Sequence, residues 1–337
     1  MKQRVEYIDR LKGFAILCVV IGHFTLWAIG RRNDPFHDFV YLYHMPLFFF
    51  LSGIVISAAP KPKKVLVKAC QFLCPFFFVG GLVYSSYIKG NFHDFIWGQL
   101  KYGYWYLQIL TLFYILLLPF HWSNLDGGGY GRSAVLKDIV MAMAVYAFLV
   151  VMNSLLSPRT SSLIGIGQAR LYWPYFILGF FSHKYQLTER LMSNNVVMSL
   201  SMVFILPACI LYFSGFKHIY NFLSLAFIIV FVYLFKSRES KTSVIERELA
   251  RIGRGTLDVY IFHYFVISTV HLGAFGQWLE NSGNWLFLGI VNASVSIVIA
   301  YVCVGFGKLI RQSKLIEDVL YGGFIKKIVS ALRETAA

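Results

Sequence analysis

Charge is the first thing this 337-residue chain lacks. Only 14% of its residues are charged, where a soluble domain carries roughly a quarter, so an ordinary solvated surface is excluded. Acid is scarcer than base: 16 Asp and Glu stand against 31 Lys and Arg, a formal net charge of +15. In a soluble protein that excess would raise nucleic acid as a partner. In a chain that is 58% hydrophobic with a mean hydropathy of +0.62, basic residues report membrane topology first. Cysteine is sparse and odd in number. Cys18, Cys70, Cys74, Cys209 and Cys303 all fall inside apolar runs, which excludes a disulfide framework and offers no metal-ligand spacing. The glycine-rich stretch from Trp122 to Arg132 lacks the Lys-Ser/Thr ending of a phosphate loop and reads as a plain flexible loop. Neither an internal repeat nor a separate soluble domain is visible, so residues 1–337 read as a single transmembrane domain with a short amphipathic tail from about 313.

What the chain has in abundance is long apolar segments. Ten of them are long enough, or nearly so, to cross a hydrocarbon core that needs about 20 helical residues. They run from Tyr7 to Ile29, Phe39 to Ala58, Val65 to Tyr87, Tyr104 to Phe120, Val135 to Asn153, Leu171 to His183, Val196 to Ser214, Ile219 to Phe235, Leu257 to Phe275 and Trp285 to Phe306. Membrane barrel strands would alternate over about ten residues, so continuous runs predict an all-α polytopic bundle. With the N-terminus inside, 24 of the 31 Lys and Arg fall on the inner side and 7 on the outer. That asymmetry predicts ten spans with both termini cytoplasmic. The first apolar stretch outruns a signal-peptide core, and no small-residue cleavage site precedes Arg31 and Arg32, so it is expected to stay as a span. The mixed-charge segment from Lys236 to Gly255 predicts an amphipathic cytoplasmic helix. The tail from Leu315 to Leu332 predicts another, lying on an anionic leaflet.

Ionisable residues inside spans are expensive, and each is a functional candidate for that reason. The first span holds Asp9, Lys12 and His23. Lys12 and His23 are eleven residues apart, which returns to nearly the same helix face about 16 Å along the axis. Both are therefore expected to look into one cavity, Lys12 at its cytoplasmic mouth and His23 deeper. His44 opens the next span beside Pro46, at a depth similar to His23, and the two imidazoles make a plausible acid/base pair. Ser52 closes that polar stretch. Further on, Asp258 stands near a helix start as a cap, and Tyr260 precedes His263 by about a turn on one face. Trp105 and Tyr106 read, on composition, as an aromatic belt pair. His271 is placed at the outer interface; His37, His93, His121, His183 and His218 sit at span edges or in loops and receive no role.

The motifs also carry a resemblance. Ile8 to Ala15, reading IDRLKGFA, followed by Val20 to His23, reading VIGH, resembles the opening signature of the integral-membrane acyltransferase 3 family: a basic residue, ten residues, then histidine. Tyr43 to Gly53 (YHMPLFFFLSG) is similar to that family's second signature, Trp105-Tyr106-Leu107 to its aromatic motif, and Gly253 to His263 (GRGTLDVYIFH) to its late Tyr-x-x-His segment. The wording is closest to the short fucose 4-O-acetylase-like and surface-polysaccharide O-acetyltransferase members.

The resemblance implies a ten-helix enzyme of the bacterial inner membrane that moves acetyl from cytoplasmic acetyl-CoA to a hydroxyl of an envelope glycan or lipid-linked saccharide, without a metal. It also implies a catalytic His23, with Lys12 part of its site. Two departures stand out. Many relatives carry Arg-x-x-Arg after the second span, where this chain has Lys61, Lys63, Lys64 and Lys68; some append an extracytoplasmic hydrolase-like domain, for which this chain has no room.

Read from the residues alone, the basic inner side suits a multiply anionic CoA. His23 then serves as general base or as covalent acetyl carrier, with His44, Tyr260 and His263 as proton partners or oxyanion donors and Ser52 as a wall residue. Acceptor recognition is expected from Arg31 to Asp38 and from Asn153 to Arg170. The alternative is a proton-coupled transporter or glycan flippase that uses the same histidines as a relay.

Overall fold

The computed structural model describes residues 5–30, 35–56, 61–122, 132–270, 272–282, 285–325 and 327–328. Every regular element among them is helical. In chain order the principal helices are α1 (Glu6–His23), continued by a π-helical turn over Phe24–Ala28, α2 (Pro35–Tyr41), α3 (His44–Ile54), α4 (Pro62–Pro75), continued by π-helix over Phe76–Tyr84, α5 (Trp105–Leu116), α6 (Arg132–Leu155), α7 (Ile166–Lys184), α8 (Asn195–Phe213), α9 (Tyr220–Ser237), α10 (Val244–Arg254), α11 (Thr256–Thr269), α12 (Trp285–Ile310) and α13 (Lys314–Tyr321). Six helical stretches among the described residues are long and apolar enough to cross a membrane: Glu6–Ala28, Pro62–Tyr87, Arg132–Leu155, Asn195–Phe213, Lys217–Ser237 and Leu286–Ile310.

The other four expected spans take different forms. The second is broken at Leu42 and Tyr43 into α2 and α3, because Leu42 and Tyr43 donate back to the Phe39 and Val40 carbonyls in a tight turn. The fourth and ninth are helices of 12 and 14 residues, short of the roughly 20 that a straight crossing needs. The sixth is a 19-residue helix that carries Arg170 and Lys184 and so falls below the apolar threshold. The chain is thus an all-helical, multi-pass membrane protein.

It divides into two compact units. One comprises residues 1–51 and 186–307, the other residues 52–185 and 308–337. In the first, α10 lies across the N-terminal half of α1. A Cβ on Gly13 would strike the Leu249 carbonyl, and one on Gly253 would strike the Asp9 carbonyl, so the two backbones touch where both residues are glycine. Arg10 is buried beside this crossing and donates from Nη1 to the Arg238 carbonyl at 2.8 Å, closing the C-terminal end of α9. The mixed-charge helix predicted for 236–255 starts at Val244, where Ser243 and Glu246 form a reciprocal capping box. Gly307 on α12 is pressed against the Asp258 carboxyl group, which lies buried in the first turn of α11.

The second unit packs α4, α5, α6 and α7. Its buried ion pair joins Lys184 to Asp138 at 2.5 Å, and the Tyr185 hydroxyl donates to the same carboxylate at 2.7 Å. The tail helix begins at Lys314 and reaches α4, where left-handed Gly322 sits beside Gln71 and Cys74. The glycine-rich stretch 123–131, the tail from residue 329, and His271 lie outside the described residues.

Candidate active site

His23 stands where α1 passes into the π-helical turn. Such a turn widens the backbone by one residue and is common at functional sites. Thr25 donates to the Ile21 carbonyl at 2.9 Å, so its oxygen is left to accept, and it does so from Asn292 Nδ2 on α12 at 2.9 Å. At the far end of the turn the Leu272 amide donates to the Ala28 carbonyl at 2.8 Å. The irregular turn is therefore held from both sides, and His23 is the last regular residue before it.

The direct partner of His23 is His263. His23 Nδ1 and His263 Nε2 are 2.9 Å apart, with the ring planes within 8° of parallel. On the other side of His263, Nδ1 lies 2.9 Å from the Val259 carbonyl one turn earlier in α11. A carbonyl only accepts, so His263 Nδ1 carries the hydrogen and its Nε2 is the acceptor when the ring is neutral. His23 Nδ1 must then donate, which leaves the lone pair on His23 Nε2. The chain of bonds sets the tautomer of both rings and presents Nε2 of His23 as the basic atom. The Tyr264 hydroxyl is 3.5 Å from that nitrogen, and the Trp27 ring stacks on His23 at 5.4 Å and 13°. His263 is fully buried, whereas His23 is partly exposed.

The remaining sequence candidates divide between the two units. His44 is buried at the start of α3, with Nδ1 3.0 Å from the Val40 carbonyl and its ring 4.4 Å from Tyr41. It lies within electrostatic reach of His23, whose side-chain hydrogen bond goes to His263. Tyr260 is buried with its ring 6.1 Å from His263; the tyrosine hydroxyl that reaches His23 belongs to the next turn, at Tyr264. Lys12 is partly exposed on α1 among buried Arg10, Leu11 and Gly13, and Asp9 is buried at the α10 crossing. In the other unit, Ser52 and Tyr106 share a hydroxyl–hydroxyl hydrogen bond of 2.5 Å, and Trp105 stacks on Tyr172 at 5.5 Å. Tyr106 is buried, so it belongs to the interior of its unit and not to an interfacial belt.

Three participants escaped the sequence reading. Tyr264 was masked by its neighbour His263, Trp27 by the ordinary expectation of an interfacial tryptophan, and Asn292 by a long apolar context in which a lone amide has no pattern. Among the described residues no group of three or more His, Cys, Asp or Glu is arranged to hold a metal ion.

Comparison with known proteins adds the chemistry. The chain is 28% identical over 190 residues to the nodulation protein NolL of Sinorhizobium fredii, a stretch covering 51% of this chain and 47% of that protein. It is 34% identical over 86 residues to the NolL of Mesorhizobium japonicum, covering 23% of each. The first match thus spans about half the length of its curated relative. No solved structure matches. The acyltransferase-domain family profile matches residues 5–303, a stretch that contains His23, His44 and His263 together with the aromatic motif at Trp105. This protein therefore belongs to the acyltransferase 3 family.

Proposed function

We propose that the protein transfers an acetyl group from cytoplasmic acetyl-CoA to a hydroxyl of a cell-envelope or exported glycan, working in the inner membrane of a bacterium. The observation that carries this reading is the fixed tautomer of His23. Its Nε2 lone pair is held by the His263–Val259 chain beside the Tyr264 hydroxyl, in a chain whose family transfers acyl groups.

The chemistry follows from that atom. The hydroxyl proton passes to His23 Nε2 while the oxygen attacks the thioester carbonyl; the C–S bond breaks, and the departing thiolate recovers a proton. In the covalent variant the same lone pair first takes the acetyl group as the C–S bond breaks, and then yields it to the hydroxyl oxygen, whose proton passes to the thiolate. Either way His263 accepts from Nδ1 and keeps the ring oriented, as an orienting partner does in a catalytic triad. An oxygen bound at Nε2 lies within reach of the Tyr264 hydroxyl, which then shares its developing charge. His44 is assigned to the proton network beside His23.

Lys12 and Asp9, nearer the N-terminal end of α1, are assigned to the donor's path, together with Tyr260. Ten spans with both termini cytoplasmic place 24 of the 31 basic residues on the side where acetyl-CoA is found, which favours a multiply anionic donor. Ser52, Trp105 and Tyr106 are assigned to binding in the second unit. The family match supports acyl transfer and lends no support to a transporter.

The deciding experiment incubates membranes containing the wild type or His23→Ala with acetyl-labelled acetyl-CoA and surface glycan. Label should enter the glycan as an alkali-labile ester in the wild type and not in the variant. Equal labelling in both, with equal protein in the membrane, overturns the assignment.

A further inference from the structure

His37 received no role from the sequence, yet it sits in a built setting. His37, Tyr41 and His44 recur at helical spacing on α2 and the start of α3. Their rings form a row: His37 to Tyr41 is 3.9 Å between centroids and Tyr41 to His44 is 4.4 Å. The row is seated against α1 at Gly22, the residue before His23, where a Cβ would come within 2.7 Å of the Tyr41 ring. Glycine at 22 is what lets Tyr41 approach, and Tyr41 in turn brings His37 and His44 into electrostatic reach of His23.

The bonding of His37 is asymmetric. Its Nδ1 is 3.2 Å from the Asp38 carboxylate, which is half exposed. A carboxylate accepts, so Nδ1 donates and, in the neutral ring, Nε2 is left as an acceptor. That Nε2 is buried and has no partner among the described residues, in a side chain one-tenth exposed. Burying an acceptor without a partner carries its full desolvation penalty. The unfilled acceptor thus belongs to a carboxylate-backed imidazole one ring from Gly22, the residue before His23.

We propose that His37, oriented by Asp38, is an acceptor-binding residue whose Nε2 takes the hydrogen bond of a second hydroxyl on the acylated substrate, next to the hydroxyl that reacts at His23. This rests on reading the protein as an O-acyltransferase. The ligand class is a polyol such as a sugar, because a single-hydroxyl acceptor placed at His23 has no further O–H to give. His44, whose Nδ1 is committed to the Val40 carbonyl in the same sense, has its ring 4.4 Å from Tyr41.

The test measures acetyl transfer from acetyl-CoA to 4-nitrophenyl glycosides in membranes bearing the wild type, His37→Phe, His37→Gln and Asp38→Asn. His37→Phe should raise the apparent KM for the glycoside about tenfold while that for acetyl-CoA moves by less than about twofold, the size of one lost hydrogen bond. His37→Gln, which keeps an acceptor oxygen, should restore most of the affinity, and Asp38→Asn should lie between. The fall in kcat should be smaller than the rise in KM. An unchanged glycoside KM in both His37 variants overturns the proposal, and so does a loss confined to kcat with a displaced pH profile, which would make His37 a proton carrier. A wild type that consumes no acetyl-CoA with any glycan overturns the underlying reading instead, and the two failures are separable because the donor is followed independently. The acetyl-CoA KM of each variant also reports whether it has folded.

Discussion

His23 and His263 lie 240 residues apart in sequence and 2.9 Å apart in space, ring against ring. The pair works in one direction only. The carbonyl of Val259 forces the hydrogen of His263 onto Nδ1, and the remaining nitrogen then takes the hydrogen of His23. The lone pair on His23 Nε2 is therefore placed by a backbone carbonyl two residues removed from it in the bonding chain.

His263→Ala should lower acetyl transfer about 10- to 100-fold, because His23 is then free to turn and to hold its hydrogen on either nitrogen. His23→Ala should cost about 100-fold or more. The double variant should be no worse than His23→Ala alone, since the two act as one unit. Additive losses, measured by transfer of labelled acetyl in membranes with equal protein, would show that His263 acts independently of His23.

At the α1–α10 crossing, Gly253→Ala and Gly13→Ala each drive a methyl group into a backbone carbonyl that has no side-chain freedom to yield. Each should cost about 1–3 kcal/mol, typical of overpacking. Gly305→Ala in α12, where a Cβ meets nothing within 4 Å, should be neutral or slightly stabilising by about 0.5–1 kcal/mol through helix propensity. Thermal unfolding in detergent checks the contrast. Equal melting temperatures for Gly253→Ala and Gly305→Ala would mean that the helices separate without cost.

Glu246 accepts from the Ser243 amide at 2.8 Å and pairs with Arg238 at 3.0 Å, and these contacts hold its carboxyl at about 2, below its usual 4.5. The folded form thus binds this proton less readily than the unfolded chain. Its contribution is complete above pH 4.5 and is lost as pH falls from there toward 2. Glu246→Gln should remove that acid-side slope and lower the melting temperature near neutrality. A wild type and variant with parallel melting curves from pH 6 to pH 3 would contradict it.

Ser52 and Tyr106, joined at 2.5 Å, are 54 residues apart and tie the end of α3 to α5. Ser52→Ala and Tyr106→Phe each remove one side of this bond. A double-variant cycle on unfolding should show coupling of about 1 kcal/mol. Coupling near zero would mean that each hydroxyl finds another partner as good.

Much of this protein is legible before any folding is considered. Low charge, apolar runs and the one-sided distribution of Lys and Arg are properties of composition and order, and they determine an all-helical membrane chain because lipid leaves backbone groups only one another as partners. The motifs around His23, His44 and His263 likewise stand in the linear sequence. The helix at Val244–Arg254 was visible because its cap and its charges are local.

What the sequence alone could not decide was which of these histidines meet. Depth along a helix made His44 a plausible acid/base partner beside His263; the hydrogen bond of His23 goes to His263, and helix depth says nothing about which neighbour faces a given side. The same holds for the tyrosine at the site. Tyr260 shares a helical face with His263, yet the hydroxyl near His23 is that of Tyr264, since the reach of a side chain depends on how two helices cross and not on spacing within one. The broken second span, the π-helical turn after His23 and the seat for Tyr41 at Gly22 are also products of packing. Composition and order determined the solvent, the helices and the reactive residue types; tertiary contact alone decided the partner, the tautomer and the atom, because a hydrogen bond between residues 240 apart exists only once the chain has closed on itself.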